Sequence, residues 1–382
     1  MTRRILALFV VCMLLPIWPV FADKPRDGIS YVFSYYWDTG SNMVIAPSVL
    51  LSKKLTDTYY LGANVGVDAI TSATKNASTT PPPPATGDED EGEGGNFSYR
   101  VPLSLYLTYD KADDTLIGGG YYSYEDTYIG RSLFAAYTRR MNLNNTAMTV
   151  AYSKSFDYWI PDRPLPTDNR SEQVLDLSVT QLLSPKRMVQ FTYSALQSDG
   201  FLAQPTDTLV TAGAVTLYAQ YPDNRKGSAF AVRLITLLNE PTSLHLFYRY
   251  YRDDWHIQSD TVNIELYRDV SRSVLLGARY RYYRQSEAYF AKDLNAYTPS
   301  DALIAVNYRM YAFHSNMVGA MAIIKPSRSF LRTFMSRPDP DKIKLKLSAD
   351  VFATSSEPNI QYQYNTDRLT GLFTTIALDY DF

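Results

Sequence analysis

The chain has 382 residues, 46% of them hydrophobic, and a formal net charge of −2. A balance this near neutral argues against bulk electrostatic binding to nucleic acid, and the length allows two ordinary domains or one large barrel. Its single cysteine, Cys12, lies in an apolar leader, so a processed chain would have no disulfide, no thiolate metal site and no thiol nucleophile.

Residues 1–22 read as a secretory signal. Arg3 and Arg4 form its basic start, Ile5 to Leu15 its apolar run, and Val20-Phe21-Ala22 its cleavage site. Thr2-Arg3-Arg4 is similar to a twin-arginine start, but a plain Sec leader fits a barrel, which must cross the periplasm unfolded. Cys12 follows Val10-Val11 rather than a small residue, so no lipoprotein is read. After Ala22 there is no run of about 18 apolar residues that could form a transmembrane helix.

From Gly28 onward the chain repeats an alternating segment of about ten residues followed by a turn, the pattern of tilted membrane-spanning strands. The alternation predicts strands near 29–38, 43–54, 58–70, 98–109, 115–126, 129–141, 146–156, 173–183, 188–198, 228–238, 243–254, 257–269, 273–286, 301–310, 316–325, 341–352, 359–366 and 371–382. The chemistry of the turns agrees, as at Lys111-Ala112-Asp113-Asp114, Asn142-Leu143-Asn144-Asn145 and Ser184-Pro185-Lys186. With the N-terminus in the periplasm, the long connections 71–97, 157–172, 199–227, 287–300 and 326–340 all fall on the outer rim. A soluble sandwich has no reason to segregate loop lengths in this way. The 32 Tyr and 17 Phe against 4 Trp suit aromatic girdles at the lipid interfaces. In Leu372 to Phe382, alternate residues are mostly apolar and end in Tyr380-x-Phe382, which resembles the signal read by the barrel-assembly machinery. The expectation is an all-β, up-and-down transmembrane antiparallel β-barrel of about 16–18 strands over residues 23–382, in the outer membrane of a Gram-negative bacterium.

Loop 71–97 stands apart in composition. Pro81 to Pro84 is stiff and extended, and Asp88 to Gly95 is acidic and Gly-rich. It reads as an unstructured surface loop, with no fixed ligand spacing to support a calcium site. No metal or cofactor is expected.

Strand parity sorts residues to lipid or lumen. A charge on the lipid face costs about 2–4 kcal/mol at the midplane. The charged parity is therefore the lumen, which places Arg233, Arg249, Glu265, Arg279, Arg281, Asn307, Arg309, Lys342, Lys344 and Lys346 inside. Asp68, Asp176 and Asp350 are the other lumen acids. Rings of Arg and Lys suit pores for anions and phosphates, while an Arg–Glu–Asp network filling a closed barrel is the plainer alternative. His245, His256 and His314 have no serine placed beside them by any motif, and Asp253-Asp254-Trp255-His256 reads as a polar turn beside an interfacial Trp. Gly118-Gly119-Gly120 reads as a kink or a place where far-wall side chains need room.

Tyr248-Arg249-Tyr250-Tyr251-Arg252-Asp253-Asp254-Trp255 resembles a segment of a bacterial outer-membrane family catalogued as domain of unknown function 3570. Val67 to Thr74, Tyr221 to Arg225 and Arg279 to Ser286 also resemble it. The chain departs from that family in its insertion at 71–97 and in His256, where the family tends towards glycine. The resemblance implies an outer-membrane barrel and no established activity. It also implies the company of thioredoxin-like and flavin-transferring periplasmic proteins, hence a redox-linked envelope system. Two functions follow as expectations: a passive, porin-like channel or solute-transport barrel for a small anionic solute, or a non-conducting barrel that binds a periplasmic or surface protein. An outer-membrane enzyme is the third. Membrane lipid and the assembly machinery are the further expected partners.

Overall fold

A computed structural model describes residues 27–40, 42–72, 97–160, 165, 167–205, 207–211, 214–333 and 339–382. The expected signal peptide and residues 73–96 of the acidic loop lie outside them. Sixteen strands form one closed antiparallel barrel. They are β1 (Gly28–Asp38), β2 (Asn42–Lys54), β3 (in two pieces, Tyr59–Gly66 and Asp68–Ser72), β4 (Phe97–Lys111), β5 (Asp114–Glu125), β6 (Tyr128–Met141), β7 (Thr146–Trp159) and β8 (Asn169–Ser184). The second half comprises β9 (Arg187–Gly200), β10 (Asn224–Asn239), β11 (Thr242–Asp253), β12 (Gln258–Ser271), β13 (Val274–Gln285), β14 (Phe313–Ile324), β15 (Ile343–Thr354) and β16 (Thr370–Asp381). Each pairs with its neighbours in sequence. The ring closes where β16 meets β1, with Phe33 opposite Ile376, and Phe382 N–H donates to Asp27 C=O at 2.9 Å.

Alternation fixes which face of the wall meets lipid. On β4, Tyr99, Val101, Leu103, Leu105 and Leu107 are 42–59% exposed, while Ser98, Thr108 and Asp110 on the other parity are at most 5% exposed. A sheet with its apolar face outward and its polar face inward is the inverse of a soluble core, and lipid is the solvent that rewards it.

The two extra expected strands are absent. Residues 301–310 hold an isolated bridge from Ile304 to Gln220 and a 3-10 turn at Tyr308–Met310. A membrane strand leaves one parity exposed, yet Ile304, Ala305, Val306, Asn307 and Tyr308 are all buried, as in a folded loop. Residues 359–366 instead contain helix α1 (Pro358–Tyr364). Proline opens it at the first position, and Asn365, at φ 54°, closes it in the left-handed region. Ile360 and Tyr364 share a face at i and i+4, so helical spacing outweighs the two-residue alternation. Without those strands the connection 325–342 falls on the rim that carries both termini, correcting the expectation that 326–340 lies on the outer rim. Lys342 closes a 3-10 turn there rather than lying in a strand.

The long connections on the opposite rim fold together as a lid. Loops 201–223, 254–257 and 286–312 bury Phe201, Leu209, Trp255, Phe290, Tyr297 and Val306 in one core with Tyr128 and Trp159 from β6 and β7. Val210 N–H donates to Tyr362 Oη at 2.8 Å, joining the β9–β10 loop to the β15–β16 loop. Those loops leave the ring six strands apart out of sixteen, so the contact crosses over the mouth. A second cluster of Tyr308, Ile360 and Leu369 anchors α1 above Phe352.

Ile360 is 0% exposed. Ile360→Ala should cost the lid about 2–4 kcal/mol of local stability. The expected outcome is faster protease cleavage within 355–369 while the heat-modifiable mobility of the intact barrel in gels is unchanged.

Candidate functional site

The wall beneath the lid carries the chemistry. Antiparallel register places lumen side chains in lateral rows. One row is His245, Glu265, Arg279, Gly319 and Asp350, each opposite the next on β11 to β15. Arg279 reaches over β14 to form a bidentate ion pair with Asp350, whose side chain is 3% exposed. Gly319 stands between them. A Cβ there would lie 1.8 Å from Asp350 Oδ1 and 3.0 Å from Arg279 Nε, so only glycine lets the pair cross. Glu265 accepts from Tyr267 Oη at 2.9 Å and sits 3.7 Å from His245 Nδ1, and the imidazole packs on Tyr267 with ring centroids 4.7 Å apart.

The next rows toward the lid are different. Arg233, Phe247, Asn263 and Arg281 follow one another across β10 to β13, and Arg249, Thr261 and Tyr283 lie one row above. Among the described residues, no carboxylate lies within ion-pair distance of Arg233, Arg249 or Arg281. Two of the guanidinium groups rest on aromatic faces instead, Arg233 over Phe247 at 5.4 Å and Arg249 over Tyr251 at 5.3 Å. Gln190, opposite Arg233 on β9, has a buried amide nitrogen with no hydrogen-bond partner. This patch therefore presents cations and a spare donor to the lumen. The other acids named from sequence are engaged on other parts of the wall: Asp68 pairs with Arg100 at 2.9 Å, and Asp176 accepts from Ser194 Oγ.

Arg309 is not on the wall. It lies in the lid's 3-10 turn, where its Nε donates to Tyr308 Oη at 3.3 Å. Asn307 lies there too, donating to Asp207 Oδ2 at 3.1 Å. Gln285, at the lid end of β13, donates to Arg309 C=O at 2.7 Å and Tyr311 C=O at 2.8 Å, which seats this turn on the wall.

The turn Asp253-Asp254-Trp255 holds the lid together. Asp253 accepts from Arg225 Nε at 2.8 Å, Tyr251 Oη at 2.9 Å and Ile257 N–H at 2.9 Å. Asp254 accepts from Lys226 N–H at 2.9 Å. Trp255 is 3% exposed, with Arg225 stacked over it at 4.6 Å and its Nε1–H donating to Asn224 C=O at 2.8 Å. It is a core residue of the lid rather than an interfacial anchor. Burial in the same core pushes the Tyr221 phenol well above its ordinary pKa.

Sequence reading missed Ser243. Alternation on β11 brings its Oγ to 3.4 Å from His245 Nε2. That distance and the 3.7 Å to Glu265 exceed the 2.6–3.2 Å reach of a proton-transferring pair. Gly119 makes room for Tyr106 and Phe134 of the adjacent strands rather than for far-wall side chains. At the chain end, Tyr380 and Phe382 stack edge to face with centroids 5.6 Å apart.

Gly319→Ala should displace the Arg279–Asp350 pair and leave Asp350 uncompensated, costing about 3–5 kcal/mol. A lower urea midpoint in detergent would show it, and Gly319→Ala with Asp350→Asn should recover most of the loss.

No curated protein matches this chain. Among solved structures it is similar to a bacterial polysaccharide outer membrane secretin, at 8% identity and TM-score 0.49, covering 94% of this chain and 99% of that one. It is similar to OccD3 (OpdP) of Pseudomonas aeruginosa at 9% identity and TM-score 0.46, covering 94% and 92%. It also resembles the siderophore receptor PirA of Pseudomonas aeruginosa at 10% identity and TM-score 0.42, covering 88% of this chain and 57% of the receptor. Likeness this distant leaves the function to the chain's own residues. Residues 159–325, which hold the arginine wall and most of the lid core, match the family model described as "Protein of unknown function (DUF3570)", the family that the Tyr248–Trp255 segment resembles.

Proposed function

We propose that this chain is a porin-like outer-membrane barrel that admits small anionic solutes, with its outer mouth covered by a folded lid. The observation that carries the reading is the patch of Arg233, Arg249 and Arg281 beneath the lid. Among the described residues no carboxylate forms an ion pair with it, although Arg279 two positions from Arg281 is fully paired. Buried cations normally acquire partners because an uncompensated charge is costly. Arginines kept without one, each half-buried in a polar lumen, suit a transient anion. Adjacent strands stand about 4.8 Å apart and two residues rise about 6.7 Å along a strand, so Arg249 and Arg281, two strands and one row apart, are rooted about 12 Å from each other. Their side chains can grip one carboxylate or phosphate group between them.

A second reading has its own support. The lid core and the paired charges of the lower row are what a non-conducting barrel would have, and its lid would then be a docking surface for another envelope protein. Export by a Sec leader, cleavage near Ala22 and assembly through Tyr380 and Phe382 accompany either reading.

Conductance in a planar bilayer under a salt gradient separates the two. The anion pathway predicts rare or small openings in the native barrel, with a reversal potential on the anion side. Arg249→Gln with Arg281→Gln should move that potential towards zero, with thermal stability equal to or above native. A barrel that stays silent even after the 286–312 loop is shortened would sink the channel reading and favour the docking one.

A further inference from the structure

Among the described residues, the hydrogen-bond ladder of the wall fails on both sides of one strand, β3. Val67 interrupts β3, although the register is unchanged across it: Ser48 faces Gly66 before the break and Ile45 faces Ala69 after it. Val67 N–H donates to Pro47 C=O at 3.0 Å. The reciprocal bond, from residue 47 to Val67 C=O, cannot form because proline has no N–H. On the other edge the β3–β4 ladder stops at Val65 opposite Leu103 and resumes at Asp68 opposite Arg100. Antiparallel strands point successive residues to opposite neighbours, so Gly66 turns to β4 and faces Pro102, which also lacks an N–H. Two consecutive carbonyls, Gly66 and Val67, thus lose their ladder donors, one on each edge of β3. Proline is normally kept out of central strands, and membrane barrels have no water in the hydrocarbon to relieve such a loss.

Two further observations fall on the same spot. On the lipid side, a groove of about 480 Å³ opens over the break, lined by Pro47, Val65, Gly66, Val67, Phe33 and Ile376. On the lumen side, parity leaves only small residues at the seam, Ala46, Ser48, Gly66, Pro102 and Ser104. The Asp68–Arg100 ion pair bounds it toward the lid. The wall here is thin, under-bonded and backed by an apolar trough.

We propose that the β2–β3–β4 seam is a lateral passage between lumen and bilayer, and that what crosses it is an amphiphile with a single alkyl chain. The chain lies in the apolar trough, which is continuous with the lipid-facing surface. The head passes Ser48, Ser104 and the two carbonyls that lack ladder donors. A fully hydrophilic solute finds nothing on the lipid side of this seam, and a bulky one does not fit between strands that remain paired above and below it.

The probe for the test is a sixteen-carbon fatty acid carrying a terminal photoreactive diazirine, added to the full-length barrel in lipid nanodiscs and mapped by peptide mass spectrometry. Labelling is expected both on the trough, at Val65 and Val67, and on lumen-facing Ala46 and Ser104. A reversible staple, Leu50→Cys with Asn64→Cys, joins β2 to β3 at directly opposed residues near the gap. Oxidised, it should abolish lumen labelling at least tenfold and leave trough labelling in place; reduction should restore it. Pro47→Val with Pro102→Val, which returns both donors, should lower lumen labelling and slow amide exchange at 65–70 by at least tenfold. Labelling confined to the trough in every variant would overturn the passage and leave only a lipid-filled groove. Lumen labelling unaffected by the oxidised staple would overturn it too, since the probe would then enter through the mouth.

Discussion

Hydrocarbon offers no hydrogen bonds, and this constraint organises the whole molecule. An unpaired N–H or C=O in the bilayer costs several kcal/mol, so the sheet must close on itself. The β1–β16 pairing does this, and the same closure brings Gly28 and Asp381 together at one rim. Once the sheet is closed, every side chain has two possible addresses. Charge excludes one of them, and the parity of sixteen strands follows. The Pro47–Val67–Pro102 seam stands out because one strand loses ladder donors there on both of its edges.

Closure also governs the lumen. Residues meet in lateral rows set by register, and a row is invisible in one-dimensional spacing. Arg279 and Asp350 are 71 positions apart, yet they pair because Gly319 between them carries no side chain. In the lower row Arg279 is thereby matched to Asp350, and Glu265 is held by Tyr267 beside His245. The arginine patch above that row has no carboxylate partner among the described residues, although the same strands supply both. On the proposed reading, that contrast places the anion site between the Arg279–Asp350 pair and the lid.

The fold was legible because lipid imposes an alternation that soluble loops rarely sustain. The turns at 112–113, 142–145 and 185–186 and the parity of β10 to β13 followed from residue type alone. The same signal misled at 301–310 and 359–366. Ile304, Val306, Tyr308 and Met310 alternate like a wall strand, but Ala305 and Asn307 between them are buried as well. Alternation reports which residues are apolar, not what covers the others. Pro358 was the available warning for the helix, since proline opens helices readily and interrupts strands. Arg309 was misplaced together with the strand that was to carry it. Asp253 and Trp255 were noticed as a motif, but their role depends on Arg225, 28 residues away, and no local pattern shows that.

The lid raises an energetic question that bears on function. Ordering a loop costs about 1–2 kcal/mol per residue in backbone entropy. A barrel that served only as wall would gain nothing by ordering loops 201–223 and 286–312. These loops offset the cost with a dry core of their own, built around Trp255, Phe290 and Val306. That core also takes in Tyr128 and Trp159 from the ends of β6 and β7, and Gln285 of β13 seats the turn at 308–310. On the proposed reading, a lid with its own core, tied to the wall at Tyr128 and Trp159, moves without unfolding that core. Such a construction separates the stability of the cover from the state of the mouth. On the proposed reading, that separation lets one barrel be both robust and openable.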